Sequence, residues 1–142
     1  MLVLLVAFII LQFFGIDTTN PTVIASEDFI HITQPDDDIK NMLKRACYDC
    51  HSNQTVYPWY AHITPVSWWI GHHIEEGREH LNFSKWGTFS KEKKNHKLHE
   101  CEEEVEEGNM PLDSYTWTHG GADLSKAQKK KLAEWFEGQM NG

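Results

Sequence analysis

The chain has 142 residues, a length that suits one domain. Its net charge of −8 excludes a nucleic-acid phosphate surface, which needs basic patches. Three cysteines are too few for a disulfide framework, and two of them lie together in Cys47-Tyr48-Asp49-Cys50-His51, which points to cofactor or metal chemistry instead.

Residues 2–11 are uninterrupted and apolar, and with Gln12 allowed the run continues through Ile16. That is slightly short of the roughly 17–25 residues of a spanning helix. No Lys or Arg precedes it. Residues 1–16 read as an N-terminal apolar helix serving as membrane anchor or signal segment, with a buried core helix as the competing reading. Val23-Ile24-Ala25 before Ser26 fits a signal-peptidase site, although it lies far from the apolar run. Anchor and signal alike place the rest of the chain on the periplasmic side of a membrane. Residues 17–35, with Asn20-Pro21 and Pro35, read as a linker, and 36–142 as the domain.

Four helices follow from the apolar spacing. The first runs from Asp37 to Cys50, capped by Asp36, Asp37 or Asp38. Ile39, Met42, Leu43, Ala46, Cys47 and Cys50 share its buried face. The second starts with Thr64 as N-cap and Pro65 at the first helical position. Its stripe is Val66, Trp69, Ile70, His73, Ile74, Gly77 and Leu81. The third spans Ser90 to Glu107, with Leu98, Cys101 and Val105 inward and Gly108 as its stop. Its lysines crowd the start and its glutamates the end, against the helix dipole, so its stability must come from packing. The fourth begins near Ser125, where Ser125 and Gln128 have capping-box spacing, and buries Leu124, Ala127, Leu132, Trp135 and Phe136. No strand alternation and no repeat is found. The fold class is mainly α, a single domain of about four helices with long loops at 52–63 and 109–123.

Cys-x-x-Cys-His is the attachment signature for haem c. Two cysteines three apart at a helix end reach the two vinyl groups of one porphyrin, and His51 is then placed to ligate the iron as proximal ligand. Six tryptophans supply flat side chains that pack against such a ring. Two other chemistries compete. Half a zinc site would need histidines from elsewhere, and nine are present. A redox dithiol usually follows a strand in a βαβ unit, which is absent here.

A six-coordinate iron needs a distal ligand, for which Met110 is the candidate. It sits in a loop between a turn-permitting Gly108 and a rigid Pro111. The competing role for Met110 is core filling. His73 and His119 are rival ligands.

The stretch from Arg45 to Asn53, with Thr55 and Tyr57-Pro58-Trp59-Tyr60, resembles the small haem-binding domain family of bacterial envelope proteins. So do Gly77-Arg78-Glu79-His80-Leu81-Asn82-Phe83-Ser84 with Trp86, Gly108-x-Met110-Pro111, and Ser114-Tyr115-Thr116 with His119. The resemblance covers roughly residues 38–137. It implies a cytochrome-c-like helical domain behind a membrane segment. It also implies covalent haem c on Cys47 and Cys50, with His51 proximal and Met110 distal. Cys101 is not part of that pattern and reads as a buried free thiol.

Pro58, Trp59 and Tyr60 are candidates to wall the haem edge, and Arg78 to pair with a propionate or to make a surface ion pair. The function expected is one-electron transfer to redox partner proteins of the envelope, without catalytic residues. A peroxidase-like enzyme or a haem-based sensor would instead keep an open distal site, with His119 or His73 as acid/base group. A zinc-stabilised interaction module is the remaining alternative.

Overall fold

The computed structural model describes residues 1–140. Eight α-helices and several 3-10 turns make up its regular structure, with no strand among the described residues. The helices are α1 (Leu2–Leu11), α2 (Phe29–Thr33), α3 (Asp37–Ala46), α4 (Tyr48–His51), α5 (Val66–His80), α6 (Lys91–Glu106), α7 (Asp113–Thr116) and α8 (Lys126–Met140).

α3 begins as its sequence dictates. The Asp36 carboxylate accepts a hydrogen bond from the Ile39 N–H at 2.8 Å. Asp37 and Asp38 lie in the first turn, and Lys44 and Arg45 in the last, complementing the dipole. The continuous helix expected to Cys50 is broken, however. Cys47 adopts φ −125° and ψ −43°, and α4 restarts after it. Tyr48 accounts for the break: its ring stacks on Phe83 at 5.4 Å, and its hydroxyl donates to Asp28 at 3.1 Å. Burying the ring while satisfying the hydroxyl turns the chain at Cys47.

Part of the stretch read as linker belongs to the core. Asp28 caps α2 by accepting from the Ile30 and His31 N–H groups. Phe29 is 0% exposed. Its ring meets Phe83 at 4.8 Å, Trp86 at 4.6 Å and Trp135 at 5.6 Å. Removing it leaves a cavity that three rigid aromatic rings close poorly. Phe29→Ala should therefore cost about 3–5 kcal/mol of stability, read as a lower urea midpoint with an unchanged slope.

α5 starts after Pro65, one residue later than the expected Thr64 cap. Thr64 is buried, and its backbone N–H and C=O are both bonded by the Gln12 side chain, at 3.0 and 2.9 Å. The buried side of α5 is Ser67, Ile74 and Gly77. Val66 and Trp69, assigned to its inward stripe from spacing, are instead exposed. The polar Ser67 replaces them because its hydroxyl pairs with that of Thr64 at 3.2 Å.

α6 and α8 pack along each other and form the far wall of the domain. Ser90 caps α6 through the Lys93 N–H at 3.2 Å. Leu98 and Val105 are buried, Cys101 is half-buried between them, and Gly108 ends the helix at φ +83°. Ser125 and Gln128 form the reciprocal capping box at 2.9 and 3.3 Å. Leu124, Leu132 and Phe136 are buried as expected, whereas Ala127 is exposed and Ala133 takes the inward place.

α1 is apolar and none of its residues is buried. Among the described residues no helix is long and apolar enough to cross a membrane. The loops are not bare: a 3-10 turn fills Trp59–His62, and α7 with a 3-10 turn at Gly120–Ala122 fills the second.

Candidate functional site

The site is built where α4 crosses α5. The two backbones approach so closely at Gly77 that an added Cβ would stand 2.8 Å from the Cys50 carbonyl oxygen. Here glycine is required by space. The approach brings the Gly77 carbonyl to 2.9 Å from His51 Nδ1, with the Leu81 carbonyl at 3.3 Å. A carbonyl only accepts, so Nδ1 carries the proton and Nε2 keeps its lone pair. Burial holds the His51 pKa below its ordinary value, which keeps the ring neutral. No described residue bonds Nε2, and no buried side-chain nitrogen or oxygen is left without a partner, so Nε2 opens on free space. Carbonyl-oriented imidazole with a free Nε2 is the arrangement of a metal-ligating histidine.

That space is a cavity of about 530 Å³, lined by Cys47, Cys50, His51, Cys101 and Met110, with walls that include Leu81, Phe83, Val105 and Phe136. Its size is that of sites enclosing an organic ligand, roughly 300–1,000 Å³. The charged residues Glu76, Lys97, Glu100 and Glu104 also line it, and Lys97 pairs with Glu100 at 2.6 Å. Met110 reaches it from the loop after α6: Gly108 turns the chain, and the Met110 N–H donates to the Glu104 carbonyl at 2.9 Å. Its side chain packs, partly buried, on the hydrophobic core.

The donor set fits a flat, iron-bearing macrocycle. The motif's two thiols, the His51 imidazole and the Met110 thioether line a single, mostly apolar cavity. Burial pushes Cys47 up to about 12 and Cys50 up to about 11. A redox dithiol needs the opposite, a stabilised thiolate. No group of three or more His, Cys, Asp or Glu side chains that could hold a bare metal ion occurs among the described residues, which leaves the zinc reading without support.

The other candidates separate. His73 lines the same cavity, with Nδ1 held by the Trp69 carbonyl at 2.8 Å. His119 does not line it. Its ring stacks on Tyr115 at 4.1 Å and stands 3.4 Å from the Tyr60 hydroxyl, beside a cavity of about 60 Å³ on the other side of Cys50. Arg78, the candidate for a propionate or a surface ion pair, is bonded by neutral oxygens. It donates to the Ser52 carbonyl at 2.8 Å, to Asn20 at 2.8 Å and to Thr55 at 2.9 Å, tying down the chain after the motif. Tyr60 and Pro58 line the smaller cavity, while Trp59 is exposed. Cys101 is a free thiol on the main cavity, raised well above its ordinary pKa by burial.

Tyr115 and Asp49 are the residues that spacing does not single out. Tyr115 lines both cavities and donates to Asp49 Oδ2 at 2.6 Å. The other Asp49 oxygen accepts from the Val56 N–H at 2.9 Å. The residue between the two cysteines is thus bonded on both oxygens, which holds the motif rigid. An acceptor at a position the motif leaves free, facing a phenol far along the chain, was the only available signal.

The family model described as haem-binding domain matches residues 6–138, nearly the whole chain. Neither the curated proteins nor the solved structures include a match.

Proposed function

The chain belongs to the haem-binding domain family, and on that premise we propose that it is a mono-haem c-type cytochrome, a one-electron carrier of the bacterial cell envelope. Cys47 and Cys50 would hold the haem through thioethers, His51 Nε2 would be the proximal ligand, and Met110 sulfur the distal one. Bound haem supplies a one-electron iron couple at this site. The observation that carries the reading is the His51–Gly77 hydrogen bond, which leaves Nε2 free in the cavity that both motif cysteines and Met110 line.

The chain's own residues then have definite tasks. The Gly77 carbonyl holds His51 in the ligating tautomer. Leu81, Phe83 and Phe136 line the cavity and would keep water from a bound haem. Asp49, Tyr115 and Arg78 fix the backbone on either side of the attachment points. No catalytic residue is needed. The domain acts on redox partner proteins on the periplasmic side, held at the membrane by α1. That helix is apolar along its whole length, and none of its residues is buried in the domain.

The test is a Met110→Ala variant of the full chain, produced with haem-c maturation. The parent should be low-spin in both oxidation states. The variant should become high-spin and lose the elevated potential that thioether ligation supports. An unchanged low-spin spectrum would transfer the distal role to His73, the histidine in the cavity whose Nδ1 is already committed. A high-spin parent would favour a haem enzyme or sensor with an open distal site.

A further inference from the structure

The two longest stretches of the chain without Asp, Glu, Lys or Arg are residues 1–16 and residues 50–74. The fold joins them. Gln12 bonds both backbone groups of Thr64, and the Trp68 indole N–H donates to the Phe14 carbonyl at 2.6 Å. Ile16 lies against Gly71 so closely that a Cβ there would stand 2.9 Å from it. The turn at Trp59–His62 packs on α5 from the other side. Apolar side chains of the second stretch face outward: Val56 is 75% exposed, Trp59 76%, Val66 42%, Trp68 43% and Trp69 48%, and charged residues, Asp17, Glu75 and Lys85 among them, line the cleft beside Ile16, Trp68 and Gly71.

We propose that this rim is a second membrane-contact surface, continuous with α1, that seats the domain on a lipid bilayer in one orientation. The inference rests on the membrane reading of α1. Its occupant follows from composition. Exposed indoles beside an apolar helix match the headgroup–acyl boundary, where tryptophan is enriched because one edge is apolar and the other donates a hydrogen bond. The exposed indoles adjoin α1, which is apolar and unburied along its whole length, so one lipid surface covers both. The indoles add to the apolar area that α1 offers the bilayer. The seating also orients the cavity. The tryptophans lie at the first turn of α5 and Gly77 near its last, about 12–14 Å further along the helix axis.

The experiment uses the full haem-loaded chain with neutral phosphatidylcholine vesicles, so that charge attraction plays no part. Amide exchange is mapped with and without lipid, and vesicle affinity is measured for the parent, for a Trp59→Ser/Trp69→Ser variant and for a Leu5→Lys/Ile9→Lys variant. Trp68 is left intact because it holds α1. The expected result is slower exchange in both 1–16 and 56–63, and an affinity at least about tenfold weaker in the tryptophan variant. Slower exchange in 1–16 alone, with the tryptophan variant binding like the parent, overturns the inference and leaves α1 as an anchor. Protection of 56–63 that survives in the lysine variant supports the rim and overturns the anchor. A parent that binds no vesicle overturns both.

Discussion

A Cys47→Ser/Cys50→Ser variant should carry no haem once denatured, while the folded variant should still take up haem reversibly. The expectation separates attachment from ligation. The cavity, the oriented His51 and Met110 do not depend on the thiols. Serine is close to cysteine in size, so the break at Cys47 and the packing of α4 on α5 should survive. What disappears is the covalent tether, and with it the retention of the cofactor at low concentration. The measurement is haem absorbance after separation on a denaturing gel, paired with titration of haem into the folded variant. Retained haem on the denatured variant would contradict the assignment. A failure of the folded variant to bind haem, with its helix content intact, would show that His51 and Met110 do not make a site between them.

Gly77→Ala should destabilise the domain by about 1–3 kcal/mol, although alanine is the better helix former by about 1 kcal/mol. Two effects compete, and space decides between them. The new methyl would lie 2.8 Å from the Cys50 carbonyl oxygen and 3.1 Å from its Cβ. Neither is the end of a flexible side chain, so α4 and α5 must separate. Separation lengthens the His51–Gly77 bond, which now measures 2.9 Å. The variant should therefore show both a lower urea midpoint and a perturbed haem spectrum. A larger residue such as valine should magnify both effects. A stability gain in Gly77→Ala with an unchanged spectrum would show that the helices have room to spare and that the carbonyl does not orient the ring.

The parts of this fold that were legible beforehand depend on local chemistry. Ser90, Gly108, Ser125 and Gln128 mark helix ends through backbone donors and acceptors within a few residues, and the structure uses each for that purpose. The gathering of both motif cysteines and His51 follows from their adjacency. What escaped depends on distant partners. Phe29 has no periodic neighbours, and the rings of Phe83, Trp86, Trp135 and Phe136, far along the chain, make it core. The break at Cys47 is dictated by Asp28 receiving the Tyr48 hydroxyl. The face of α5 was misjudged because Trp69 and Val66 count as inward by hydropathy, whereas Ser67 wins the buried position through Thr64. Arg78 reads in sequence as a charge seeking an anion, whereas its Nε and Nη2 donate to Ser52, Asn20 and Thr55. In each case a specific hydrogen bond or ring contact outweighed the average preference of the residue type.

The most direct test of the central claim is to produce the full parent chain with haem-c maturation, denature it completely, and ask whether one haem remains on it. The account predicts retained haem, a mass increase of one haem on a fragment containing residues 47–50, and a reduced pyridine complex with the band position of a porphyrin whose vinyl groups are saturated. A denatured chain free of haem, alongside a control cytochrome matured in the same cells, would contradict covalent attachment at Cys47 and Cys50.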